Sequence, residues 1–412
     1  MLDAMNRQVK VPQSAGQAAA HLHLFALWGF AVAQPLLDLL GRHPHFFVVH
    51  DARPSEIVAY AIALCGLPPA LVGALGWLAQ RIAPEAGRLL HALMGACLTA
   101  AIFLQLFKGF EFLPGVVWVL LALALGFATA LLYERAAGFR AFLTWLSPAP
   151  LVFVIAFLFF SPAKKVVRPE PLTSREPVEI EAEIPVVLAV FDELSLPTLM
   201  DTTYDIDAER YPNFAALRAT SHWFRNATTT AESTIFALPA ILTGRYLDED
   251  SGRHRLATAT IYPNSLFTLL GDAYSLNVFE TRTRLCPWQL CPSSELDASA
   301  GLRLRRLLTD SAVVYPHTLL PADLTARLPS ITNQWGHFEA FANKHNKRAA
   351  WKEIGRRPQI FASFLQTICA TPSGDRPTVH FLHSTLPHFP WSFLPSGARY
   401  DSADRADGLE KG

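Results

Sequence analysis

Between His21 and Phe160 the sequence gives five long apolar stretches separated by short polar loops, and nothing else in the chain restricts its fold so strongly. They run about His21 to Leu40, Ile57 to Leu78, Leu89 to Phe107, Leu113 to Tyr133 and Phe142 to Phe160, each near the ~20 residues that cross the hydrocarbon of a bilayer. One such stretch could be a buried helix of a soluble protein. Five in succession predict an N-terminal α-helical transmembrane bundle over residues 21–160. The composition agrees, because 51% of the 412 residues are hydrophobic and 17% are charged, with the apolar excess at the front. A cleaved signal peptide is disfavoured, since the first stretch runs on into more of the same without a small-residue cleavage signature. The stretches hold almost no charge of the kind that marks ion or substrate pathways; Asp38 lies near a helix end.

Lys and Arg in the short loops set the expected orientation. Arg7 and Lys10, Arg81 and Arg88, and Arg135 and Arg140 share one side, which reads as cytoplasmic, together with an N-terminus over residues 1–20. On the other side Arg42 and Arg53 stand with Asp51 and Glu56, and Lys108 with Glu111. An odd number of spans then carries everything after Phe160 outside, although Lys164, Lys165 and Arg168 oppose this. The expectation is a multi-pass protein of the cell (inner) membrane.

Residues 161–184 are rich in Pro, Glu and charge without apolar periodicity, and read as a linker. Beyond them, strand-like runs at Val186 to Phe191, Leu276 to Phe279 and Val379 to Leu382 alternate with helical patterns at Asn213 to Thr220, Ser265 to Leu270 and Leu302 to Leu308. That alternation predicts an α/β domain with a largely parallel sheet over residues 185–412. No internal repeat and no phosphate-cradling Gly loop is present, so neither nucleotide nor nucleic acid is an expected partner.

The run PVVLAVFD, Pro185 to Asp192, is Val-rich and reads as a buried parallel strand. Ligands gather at the carboxyl ends of such strands, which places Asp192 and Glu193 where hard oxygens hold a divalent cation. Downstream, TIFALPAILTGR, Thr234 to Arg245, reads as a helix opening on a hydroxyl. A threonine hydroxyl attacks phosphorus or sulfur only after losing its proton to a metal or base. Taken alone, Thr234 reads as a helix N-cap.

The runs VVLAVFDE, YPNFAAL (Tyr211 to Leu217) and NATTTAESTIFALPAILTGR (Asn226 to Arg245) together resemble the alkaline phosphatase superfamily, in the branch of sulfatases, phosphoethanolamine transferases and lipoteichoic acid synthases. The family's sulfatase nucleophile stands nine residues before the Thr of a closing Thr-Gly-Arg, and its transferase threonine five residues before a Pro. Counting back from Thr243 and from Pro239 reaches Thr234 both times. The resemblance implies Thr234 as nucleophile; Asp192, Glu193 and Thr234 around Zn, Mn or Mg; and a membrane lipid or glycan as substrate. Formylglycine formation would need Cys or Ser, then Pro and Arg, where this chain has Thr234, Phe236 and Leu238, so a plain threonine alkoxide fits better. The block VHFLHSTLPHFPW, Val379 to Trp391, is similar to the transferases' Leu-His, gap, His-x-Pro pattern. It implies a substrate-binding role for His388, with His383 either beside it or capping the strand.

The superfamily completes its metal site with a downstream Asp-His pair, and no Asp-His dipeptide occurs in the 412 residues. The expectation is therefore an incomplete α/β domain, the front part of such an enzyme, with impaired metal-dependent phosphate-ester transfer or hydrolysis. The alternatives are a sulfuric ester hydrolase acting on glycans and an inactive membrane-embedded binding protein. Cys286 and Cys291 bracket a Pro-containing loop and could pair in an oxidising compartment, whereas Cys65 and Cys97 read as apolar fillers. Arg303, Arg305 and Arg306 could meet phosphate, but at that spacing they read as a solvated helix face.

Overall fold

A computed structural model of the chain describes residues 13–110, 112–168, 180, 184–246, 256–291, 299–326, 328, 331, 355–370, 376–389, 391–394 and 396–399. Arg7, Lys10, Glu111, most of the linker and the tail after 399 lie outside the described residues. The chain divides into two compact units, Met1–Arg168 with Ser299–Ala342, and Pro169–Ala298 with Asn343–Gly412.

Among the described residues of the first unit five helices are long and apolar enough to cross a membrane: Ala18–Arg42, Pro54–Ile82, Pro84–Phe107, Gly115–Arg135 and Ala137–Phe160. The protein is a multi-pass membrane protein. The first span is the most enclosed, with 61% of its apolar window buried against 17–33% for the others, so it forms the centre of the bundle. Outward-facing leucines such as Leu71, Leu75, Leu120 and Leu123 are exposed, as lipid-facing positions are. Small residues bring neighbouring helices close. A methyl group on Gly29 would lie 2.4 Å from Pro150 Cγ, and one on Gly126 would lie 2.3 Å from the Ala96 carbonyl oxygen. The first and fifth spans each contain one wide π-helical turn, Gly29–Ala33 and Ala156–Phe160.

The helical pattern at Leu302 to Leu308 belongs to a longer helix, Ala300–Leu319, and that helix is part of the first unit. Ser299 caps its start by accepting the Leu302 N–H at 3.3 Å. Its buried face carries Arg303, Leu307, Asp310, Ser311, Val314 and Thr318. The expectation of a solvated arginine face fails at Arg303, whose side chain is 3% exposed and grips Glu56 with both ends of the guanidinium, at 2.5 and 2.9 Å. Arg305 is exposed. Further along the helix, Asp310 Oδ2 lies 2.7 Å from His50 Nε2 and Ser311 Oγ 2.6 Å from the Tyr60 hydroxyl. Lys108 Nζ donates to the Thr318 carbonyl at 2.6 Å, and the Gly115 N–H to Asp323 at 2.9 Å. These partners belong to one end of the bundle, where the second and fourth spans begin and the third ends; Arg81, Arg88 and Arg135 mark the opposite end.

The second unit contains a three-stranded parallel sheet in the order β1–β3–β2. The strands are β1 (Val186–Phe191), β2 (Ser275–Phe279) and β3 (Thr378–Ser384). Every residue of β3 is buried, as a central parallel strand covered on both faces should be. On one face Phe381 packs with Leu238, Leu242, Phe267 and Leu285; on the other, Leu382 packs with Phe279 and Phe364. The strand runs on to Ser384, two residues past the Leu382 end expected from hydropathy, so His383 is held by the ladder opposite Val190. Cys286 and Cys291 form a disulfide, and Cys65, Cys97 and Cys369 are free.

Candidate functional site

All five residues singled out from the sequence, Asp192, Glu193, Thr234, His383 and His388, meet at the carboxyl end of β1 and β3 in the second unit. The sheet itself places the first of them. The Asp192 N–H donates to the Ser384 carbonyl at 2.9 Å, extending the β1–β3 ladder by one bond and fixing Asp192 beside the end of β3. Glu193 then takes a left-handed backbone conformation, φ 62°, which turns the chain sharply out of the sheet and is uncommon for a residue with a side chain of this size.

Thr234 opens the Thr234–Thr243 helix, and Ser233 occupies the N-cap without a side-chain capping bond. The capping role therefore does not fall to Thr234. Its Oγ1 donates instead to Asp192 Oδ1 at 3.2 Å. The helix closes on Gly244, whose φ of +67° is the left-handed geometry that a C-terminal glycine supplies.

The histidines approach the other carboxylate oxygen. His383 Nε2 is 3.6 Å and His388 Nε2 3.9 Å from Asp192 Oδ2, and His388 Nε2 is also 3.2 Å from Glu193 Oε1. His383 is fully buried, with Nδ1 hydrogen-bonded to the Thr281 hydroxyl. It caps no loop backbone in these contacts and points across the sheet end. Asp192 Oδ2 is buried and has no hydrogen-bond partner. Burial raises the Asp192 carboxyl, but His383, His388 and the Thr234 hydroxyl outweigh it and hold the group below its ordinary range.

Glu280, Thr281, Arg282 and Arg357 also bear on the site and were not singled out from the sequence. Glu280, just after β2, folds the following loop around itself, accepting from the Thr283 hydroxyl at 2.6 Å and from the Leu285 and Cys286 N–H groups at 2.8 and 2.9 Å. Burial nonetheless pushes the Glu280 carboxyl up. That loop presents Thr281 to His383 and carries Arg282, which burial lowers while the carboxylates of Asp192 and Glu193 act in the opposite sense. Arg357, at the start of the Arg357–Ala370 helix, feels the same two carboxylates and Arg282. The signal available in the sequence was the crowding of Glu, Thr and Arg directly after a strand end, in FETRTR.

The site thus combines an oriented hydroxyl, two adjacent carboxylates, two imidazoles and a positive fringe from two arginines. Among the described residues no group of three or more His, Cys, Asp and Glu side chains is arranged to hold a metal ion. No protein-family model, curated protein or solved structure matches the chain.

Proposed function

We propose that the second unit carries an ester-transfer site of the alkaline phosphatase type, in which Thr234 attacks a phosphate ester and holds the transferred group covalently. One observation carries this reading: the Thr234 hydroxyl donates to Asp192 at the carboxyl end of a parallel sheet, with His383 and His388 facing the second oxygen of the same carboxylate. As the Oγ1–P bond forms and the bond to the leaving oxygen breaks, the hydroxyl proton departs toward Asp192, its present acceptor. His388 gives a proton to the leaving oxygen. Arg282 supports the negative charge that builds on the phosphoryl oxygens. Water or an acceptor hydroxyl, giving its proton to His388, then bonds to phosphorus as the Thr234 oxygen leaves and takes back its proton from Asp192.

Asp192 Oδ2, buried without a hydrogen-bond partner, and the oxygen donors of Glu193 and Thr234 beside it would suit a divalent cation, Zn, Mn or Mg. Asp192, Glu193 and Thr234 would hold it, and it would supply the charge that makes a threonine alkoxide accessible near neutral pH. The membrane spans favour a lipid-borne substrate, because anchoring raises its effective concentration. The Cys286–Cys291 disulfide suits an extracytoplasmic location for this unit.

Single-turnover mass spectrometry on the full chain in nanodiscs, with Mn²⁺ or Zn²⁺ and a phosphodiester, tests the reading. A phosphoryl adduct on Thr234 is expected, forming slowly because no Asp-His pair is among the 412 residues. Cleavage of an aryl sulfate without a phosphoryl adduct would favour a sulfuric ester hydrolase. Neither reaction would leave a binding protein.

A further inference from the structure

The turn after β3 that presents His388 is held from two sides. Arg357 donates through Nη1 to the His388 carbonyl and through Nη2 to the Phe389 carbonyl at 3.4 Å. From the other side, the Phe389 N–H donates to Glu193 Oε2 at 2.7 Å, while Glu193 Oε1 faces His388 Nε2 at 3.2 Å. The imidazole closes the ring: His388 Nδ1 lies 2.6 Å from the Phe389 carbonyl oxygen. A carbonyl only accepts, so Nδ1 carries a hydrogen, and Nε2 is the nitrogen turned toward Glu193 and Asp192. The two lone pairs of the Phe389 oxygen accommodate both donors, Arg357 and the ring.

We propose that Arg357 is a positioning residue for His388: by holding two consecutive carbonyls it fixes the orientation of the ring and aims Nε2 at the Asp192–Glu193 pair. The task suits arginine in particular. A planar guanidinium offers several N–H groups in a rigid fork and reaches both carbonyls at once, whereas a lysine ammonium is a single point on a flexible stem. Loss of the fork would free the backbone of His388 and Phe389 to rotate, and with it the Phe389 carbonyl that holds Nδ1–H. Any effect on the reaction rests on the reading of His388 as the proton donor to the leaving oxygen.

The test uses Arg357→Gln and Arg357→Lys in the full chain in nanodiscs, with two readouts. The first is the ¹⁵N signal of His388, identified by its disappearance in His388→Gln. In the wild type the Nδ1 signal should be that of a hydrogen-bonded N–H; in Arg357→Gln it should shift toward that of a solvated ring, with Arg357→Lys between. The second is the rate of Thr234 adduct formation with an alkyl and with a p-nitrophenyl leaving group. A mispositioned proton donor slows only the poor leaving group, so Arg357→Gln should lose about 10- to 100-fold with the alkyl ester and about twofold or less with p-nitrophenyl. A loop staple with no bearing on His388 would slow both equally. Equal losses, or an unchanged Nδ1–H signal in Arg357→Gln, would overturn the proposal. If the wild type forms no adduct at all, the transferase reading fails, and the His388 signal alone still decides whether Arg357 positions the ring.

Discussion

Each unit of this protein sets imidazole against carboxylate, and the two settings differ in how completely the polar atoms are satisfied. In the first unit His50 Nε2 meets Asp310 Oδ2 at 2.7 Å while Nδ1 bonds to the Phe46 carbonyl at 2.6 Å, with side chains 0% and 5% exposed. In the second unit His383 and His388 stand 3.6 and 3.9 Å from Asp192 Oδ2, at ion-pair distance but outside hydrogen-bond range, and that oxygen has no hydrogen-bond partner. A closed, satisfied pair has no capacity left for a ligand and serves to join segments. An open arrangement with an orphaned oxygen is costly to fold and keeps its donors available for chemistry. The same residue types thus make a fastening in one place and a reaction site in the other.

The sharpest way to separate the two is to remove the nucleophile. Thr234→Ala should abolish adduct formation, a loss of about 10³-fold or more, while moving the thermal midpoint only as far as one hydrogen bond does, about 1 kcal/mol. The opposite profile is expected for Arg303→Ala. It leaves the half-buried Glu56 without its ion-pair partner and should destabilise the first unit by about 3 kcal/mol, read from thermal unfolding in detergent. A smaller contrast compares the two aspartates directly. Asp310→Asn weakens a charge-assisted bond and should lower stability by about 1.5–3 kcal/mol; Asp192→Asn should cost less and instead abolish Mn²⁺ or Zn²⁺ binding in calorimetry. Equal destabilisation by the two asparagines would break the comparison.

The smallest effect concerns Glu280. Its folded pKa is raised by burial, so its contribution to stability is full below the unfolded value of about 4.3 and is lost as pH rises through the folded value. Chemical denaturation of the full chain across acid pH should show that decline, and Glu280→Gln should flatten it.

Much of this was legible in the sequence, for identifiable reasons. Hydropathy alone located the five spans, because lipid requires long uninterrupted apolar helices; the helices extend a few residues beyond the runs where amphipathic ends continue the backbone ladder. Val186 to Phe191 was legible as β1 because a strand buried on both faces needs a continuous apolar run. Asp192 and Thr234 stood out because each sits at an element boundary, where side chains leave the packing. Arg357 gave no local signal, since its role depends on carbonyls 31 and 32 residues away. The Ala300–Leu319 helix was legible as a helix but not as a member of the first unit. Its buried stripe mixes Arg303 and Asp310 with Leu307 and Val314, and hydropathy counts such a stripe as surface. The pairing of those charges with Glu56 and His50 is visible only in three dimensions.

That long-range pairing has a consequence in time. Glu56 precedes Arg303 by 247 residues and His50 precedes Asp310 by 260. At synthesis rates of about 5–20 residues per second, a carboxylate and an imidazole must wait on the order of ten seconds or longer for their partners to leave the ribosome. During that interval the five spans can insert, but the end of the bundle that receives the Ala300–Leu319 helix stays unfinished. A chain halted before residue 299 would hold a membrane unit with its fastenings undone, so quality control acting on the spans would in effect be reading whether the segment far downstream had been made.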